Sequence, residues 1–244
     1  MVSAVVASAF VCEVNLSGLA RGLSTGVDFM LGMFPPEWEA VPGMLWPALT
    51  TVLLALIATP LAVVISLLVA LAGAANVGPG WLRVVARTLM ATERALPDTV
   101  VALFFVAALG PGPAAGIIAL ALGSIGMLGK LFADSIEELE PGIVESLQSV
   151  GASKMQIIRY AVLPEVLPSV IANSLFRFEI NIRNSALLGA VGAGGIGYVL
   201  NEAMNLLEYR RASTAIVLTV ALVFITERAS HLLRKRLLKG GSLQ

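Results

Sequence analysis

The sequence predicts an all-α protein, a polytopic transmembrane helical bundle of five to six spans. Three observations carry that expectation. Of the 244 residues, 57% are hydrophobic and only 13% charged, against about 25% in ordinary globular domains, and the mean hydropathy is +0.89. Charge is absent over whole membrane widths, between Glu39 and Arg83 and again over 99–129. The basic residues cluster: Arg228, Arg234, Lys235, Arg236 and Lys239 lie near the C-terminus, and Arg83 and Arg87 follow the first long apolar run. The positive-inside rule places both clusters on the cytoplasmic side.

The elements follow in chain order, as one transmembrane domain over 1–244. "MVSAVVASAFV" is apolar but short for a span and lacks a basic n-region, so it reads as a partial first helix over 1–13 and not as a signal peptide. In the segment 15–44, "LARGLSTGVDFMLGMF" has a helical apolar period suited to the outer membrane surface. Core spans occupy about 45–133 and 164–236. The first, "MLWPALTTVLLALIATPLAVVISLLVALAGA", exceeds the roughly 20 apolar residues that cross a bilayer, and Pro47 and Pro60 are expected to kink it. "GPGP" at 110–113 is a turn signal. It separates a helix that starts near Arg87, with Glu93, Arg94 and Asp98 near its inner end, from a second over about 114–132. A polar segment, 134–160, leads to a helix over about 164–190, a Gly-rich turn, a short amphipathic piece and the last span, "ASTAIVLTVALVFITERASHLL". With the basic C-terminus inside, 134–160 is inside and both "GPGP" and 15–44 are outside. Arg210 and Arg211 then fall on the outer side, against the rule, unless they are buried or re-entrant.

Several chemistries are excluded by residue count. Cys12 and His231 each stand alone, so neither a disulfide framework nor a cysteine/histidine zinc site can form within the chain. "GSIGMLGKL" is like a phosphate-binding P-loop, but Ser124 stands where a glycine is needed and Leu131 follows Lys130 where Ser or Thr belongs. No ATP site is expected in this chain, and nothing points to nucleic acid. "GAVGAGGIG" matches a dinucleotide fingerprint through Gly192, Gly194 and Gly197, yet Val217 occupies the place of the required acid. Together with Gly195, these glycines read as a helix break at the membrane edge, or in a functional version as a gate.

The polar segment and the charges of "NSLFRFEINIRNSA" are the informative features. Pro141 suits the first position of a helix that runs to Gly151, and "ASKMQIIRYAV" supplies a second, halted at Pro164. Ile143, Val144, Leu147 and Val150 form an apolar stripe that calls for a partner protein. Further on, Asn173, Arg177, Asn181 and Asn184 share one helical stripe, while Glu179 and Arg183 are spaced to pair as a structural ion pair in the favoured acid-first order. Arg177 is left without a local acid. A charged side chain at mid-membrane costs about 2.5–3.5 kcal/mol, so two readings stay open. In one, Arg177 is structural and pairs with Glu93 or Asp98. In the other, it lines a water-filled path with the Asn amides, and Arg177→Gln would assemble but lose anion uptake.

At the polar segment the chain resembles the membrane subunits of ATP-binding-cassette importers. Their signature is Glu-Ala-Ala, three residues, Gly, nine residues, Ile-x-Leu-Pro. Here it reads Glu145, Ser146, Leu147, then Gly151, then Ala161 to Pro164, with spacing intact and with Ser146, Leu147 and Ala161 departing from the pattern. "TERALPDTV" and "FRFEINIRNSALLGAVGAGGIG" extend the likeness over roughly 45–236 and are similar to phosphonate-transport permeases. The resemblance implies a type I ABC importer permease-like fold, paired with a second permease copy as a homodimer. It implies two ABC ATPase subunits gripping a coupling loop of Glu145, Leu147, Gly151, Ala152 and Pro164, and an extracytoplasmic phosphonate/phosphate-binding protein. ATP and magnesium would sit in the partner ATPase, and this chain would be a transport subunit with no cofactor and no enzymatic activity of its own. It would lie among the lipids of the bacterial inner (plasma) membrane as a multi-pass protein with a cytoplasmic C-terminus. The cargo would be phosphonate or a related oxyanion, phosphate or phosphite, unless the permease serves another small solute. An ion-coupled secondary transporter is the competing class, but no matched pair of broken segments is visible and the 134–160 loop would have no task. A membrane-embedded enzyme would need a nucleophile–base pair that is not evident.

Overall fold

The computed structural model describes residues 16–240; the expected partial helix over 1–13, with Cys12, lies outside them. Among the described residues all regular structure is helical. Helix α1 (Leu16–Gly32) carries the expected apolar period. Helix α2 (Val41–Gly73) runs through Pro47 and Pro60 without a break; its 33 residues at 1.5 Å each span about 50 Å, more than a membrane width. Helix α5 (Pro113–Glu137) lies along α2. The long helix over Leu163–Leu188 is α8, and α10 (Tyr209–Gly240) closes the chain. Four helical stretches are long and apolar enough to cross a membrane: Trp38–Gly73, Pro113–Glu137, Lys154–Ala193 and Tyr209–Arg236.

The fifth span differs from expectation. No helix runs unbroken from Arg87 to the "GPGP" turn. Instead α3 (Gly80–Ala95) ends before Pro97, and α4 (Asp98–Leu109) begins after it. Proline disfavours a helical residue before it, and Leu96 is extended, with φ −86° and ψ 128°. The break places Glu93 and Asp98 on either side of a bend, both turned toward α5.

Glycine lets that bent segment approach. A Cβ on Gly123 would stand 2.7 Å from Asp98 Oδ1, one on Gly129 would stand 2.8 Å from Met90 Sδ, and one on Gly126 would collide with Glu93 Oε2. The glycines of the P-loop-like stretch therefore form a packing groove on α5, as small residues do between membrane helices.

A second correction concerns Pro164, which does not halt a helix. Helix α6 (Pro141–Ser149) and the short α7 (Lys154–Ile157) form as expected, but α7 continues through a π turn (Ile158–Val162) directly into α8. The wide turn accommodates a proline ring that would otherwise clash with the carbonyl four residues back. Ser153 caps α7 in a reciprocal box with Gln156, an S-x-x-Q signal legible in the sequence.

At the far end, α8 passes through another π turn (Gly189–Ala193) to α9 (Ile196–Asn205). Arg210 and Arg211 lie there, on a surface pocket of about 710 Å³. Arg210 Nε donates to the Pro35 carbonyl at 2.8 Å, and Arg211 pairs with Glu208 at 2.9 Å. Both charges are thus satisfied locally.

Candidate functional site

The segment 134–160 is built on one end of the bundle, beside the cation cluster of α3. Arg87 bonds Glu137, whose carboxylate also accepts from the Ala75 N–H. On this platform Ile143, Val144 and Leu147 of α6 pack against the core of Leu128, Phe132, Ile136 and Val162. The expected apolar stripe is therefore largely used at home, and only Val150 stays out, 78% exposed. The surface left open carries Glu145, Val150, Met155 and Tyr160. Helix α6 closes with the Gly151 N–H on the Gln148 carbonyl at 2.9 Å and the Ala152 N–H on the Leu147 carbonyl at 3.0 Å. This is a Schellman end that needs the left-handed φ of +78° at Gly151. Pro164 begins α8 beyond the π turn.

Mid-bundle, the polar side chains of α8 fall into two sets. Arg177 is only 5% exposed. Its Nε donates to Ser124 Oγ at 2.8 Å and its NH2 to the Gly123 carbonyl at 2.6 Å, with Asp98 Oδ2 4.0 Å away. Asn181 is buried beside it, donating to Thr59 Oγ1 at 3.0 Å and accepting from Ser124 Oγ at 3.2 Å. Asn184 donates to Asp98 Oδ2 at 2.7 Å. Arg177, Asn181 and Asn184 are thus one seam joining α2, α4, α5 and α8. Asn173 stands apart, bonded to Ser169 on its own helix at 3.2 Å.

The expected Glu179–Arg183 pair does not form. Glu179 faces Arg234 of α10 at 3.7 Å, while Arg183 is exposed and has no hydrogen bond or ion pair among the described residues. The i,i+4 rule describes an isolated helix; here α10 brings a second cation to the Glu179 side. The Glu179–Arg234 contact is longer than a hydrogen bond and partly solvated, so Glu179→Gln is expected to cost less than about 1 kcal/mol in thermal unfolding.

The glycine turn is held from two sides. The Gly112 N–H of the "GPGP" turn donates to the Gly192 carbonyl at 2.9 Å, and the Ile196 N–H donates to Thr51 Oγ1 of α2 at 2.9 Å. Gly192, Gly194 and Gly195 have φ of +97°, +85° and +76°, conformations that favour glycine. Gly197 instead serves contact: a Cβ there would overlap the Ala186 carbonyl oxygen. The dinucleotide-like spacing is a reversal between two helices.

Residues 62–239 match the family of binding-protein-dependent transport system inner membrane components. The chain belongs to that family. It is 37% identical over 242 residues to the phosphate-import permease protein of Mycolicibacterium smegmatis, an alignment covering 97% of this chain and 45% of that one. It is 34% identical over 227 residues to the phosphite transport system permease protein of Stutzerimonas stutzeri, covering 93% and 82%. The chain therefore spans under half of the first relative and most of the second. Among solved structures, the inward-facing MetNI methionine ABC transporter aligns with a TM-score of 0.70 at 22% identity, over 82% of this chain and 98% of that one. That likeness gives the type I importer permease fold to a multi-helix membrane protein.

Proposed function

We propose that this chain is the membrane subunit of an ATP-driven importer whose cargo is a tetrahedral phosphorus oxyanion: phosphonate, phosphite or phosphate. The observation that carries the reading is the similarity to a phosphite permease over 93% of this chain, which runs through the polar seam of α8. A second copy of the chain would complete the path. Two ATPase subunits holding ATP and magnesium would engage the face of Glu145, Val150, Met155 and Tyr160, and an external binding protein would deliver cargo at the opposite end. The basic C-terminus would be cytoplasmic, in the bacterial cell membrane.

Because α6 is seated on the bundle and α7 is continuous with α8, force applied at α6 has a mechanical route into α8. The π turn at Ile158–Val162 is the compliant point on that route. The glycine turn at 189–197, anchored to α2 and to the "GPGP" turn, is the matching gate. Uptake by proteoliposomes with the cognate ATPase and binding protein tests the assignment. Phosphite, phosphate or methylphosphonate should enter only with ATP; uptake driven by an ion gradient alone would favour the secondary-transporter class.

The coupling face yields a separate prediction. Gly151→Val meets no neighbour within 4 Å, but it forces a β-branched residue into left-handed backbone at about 1–2 kcal/mol. Thermal unfolding of the spans should be nearly unchanged while uptake falls severalfold. Glu145→Ala should have a milder effect, since an exposed ion pair is worth about 0–1 kcal/mol.

A further inference from the structure

Among the described residues Arg183 has no counter-charge, at a depth where one is needed. Its depth follows from Asn181, two residues earlier, which bonds Thr59 of α2. Thr59 stands about 27 Å along α2 from Val41 and about 21 Å from Gly73 at 1.5 Å per residue. Arg183 is thus near the middle of the apolar stretch. It lies on a stripe of α8 with Phe176, Ile180 and Leu187, at i, i+4, i+7 and i+11. Phe176, Arg183 and Leu187 are exposed and Ile180 is half-buried. Ionisable groups at such a depth face a partner or water, not lipid.

Among the described residues no acid at this level pairs with Arg183. Asp98 holds Asn184 and flanks Arg177, and Glu179 faces Arg234, while Glu93, whose Oε2 lacks a hydrogen-bond partner over Gly126, and Glu227, exposed on α10, form no ion pair with Arg183. Arg94 is also exposed and makes no hydrogen bond or ion pair among the described residues, but it lies beside Glu93 and Gly126, nearer the end of the bundle.

We infer that Arg183, not Arg177, is the intramembrane cation that meets the passing oxyanion. This rests on the proposed importer function and refines it. The guanidinium fork matches two oxygens of a phosphonate, phosphite or phosphate group, and Phe176, Ile180 and Leu187 add no further donor, so the cargo is held by one group and can leave.

The test uses the complete transporter in proteoliposomes, with radiolabelled phosphate and methylphosphonate as probes. A charge-assisted hydrogen bond lost from the path should lower uptake by Arg183→Gln about ten- to a hundredfold. Copurification with the ATPase and the melting temperature should stay at wild-type values, and Arg183→Lys should rank between the two. Charge rescue supplies the second arm. In a Cys12→Ser background, Arg183→Cys carries the chain's only thiol. A water-soluble cationic methanethiosulfonate should restore uptake and an anionic one should not, with the Cys12→Ser parent indifferent to both. Uptake by Arg183→Gln within twofold of wild type, loss of assembly in both Gln and Lys variants, or failure of either reagent to reach the thiol would overturn the role of Arg183 alone. If the wild-type transporter moves neither probe, the oxyanion function falls, and the inference with it.

Discussion

Gly197→Ala is expected to prevent stable assembly of the bundle, despite adding a single methyl group. The added carbon would occupy the position of the Ala186 carbonyl oxygen and approach Gly189 Cα to 3.1 Å. Both obstacles are backbone, so no side chain can rotate away. Relief requires lifting α9 from α8. That movement strains the Ile196 N–H bond to Thr51 and opens the cluster of Ile196 and Val199 with Met44, Ala48 and Ala215. Overpacking of a well-filled interior costs about 1–3 kcal/mol, and more where the backbone must move; here the upper end or beyond is expected. The measurement is monodisperse yield and thermal unfolding in detergent, beside Gly43→Ala as a control. Gly43 has nothing within 4 Å of a Cβ and lies in α2, so its substitution should be neutral or slightly stabilising. Melting of Gly197→Ala together with wild type would refute the close crossing.

The helices were legible because the membrane imposes a coarse rule: long uncharged runs must be helical, and α2, α5, α8 and α10 obey it. The break at Pro97 was legible too, through the restriction proline places on Leu96, but the length needed to cross a bilayer argued for one continuous helix. Tertiary support won, since the groove of Gly123, Gly126 and Gly129 receives the bent segment. Those glycines were visible, yet local spacing matched them to a phosphate loop and not to a helix surface. The Schellman turn at Gly151 and the first helical position of Pro141 are local features, and local sequence sufficed for them. Charge pairing was the least legible. Glu179 had a cation one turn away in sequence and took one from α10 instead, because which faces of α8 meet α10 and which meet α5 is decided by packing across the whole bundle. The same packing buried Arg177 and left Arg183 outside.

That exchange makes Arg177 a test of stability before it is a test of transport. Arg177→Met is expected to lower stability by about 1–3 kcal/mol, the cost of leaving buried hydrogen-bond partners unsatisfied, with a smaller share from Asp98, 4.0 Å away and 39% exposed. The loss has separable parts. Ser124 Oγ and the Gly123 carbonyl each lose a donor at hydrogen-bond distance, and Asp98 loses its neighbouring cation, keeping Asn184 alone. Neutralising the stranded carboxylate should recover part of the loss, so Arg177→Met with Asp98→Asn should melt higher than Arg177→Met. That non-additivity marks a coupled pair. Arg177→Gln retains one donor and should fall between wild type and Arg177→Met. Asn184→Ala should make Arg177→Met worse, because it removes the remaining partner of Asp98. Thermal unfolding of the four variants, with uptake compared only among those that assemble, separates the two roles open to Arg177. If Arg177→Met melts with wild type and has lost uptake alone, Arg177 belongs to the path after all. A large loss of stability partly reversed by Asp98→Asn would fix it as the clamp that holds α4, α5 and α8 in register around the seam.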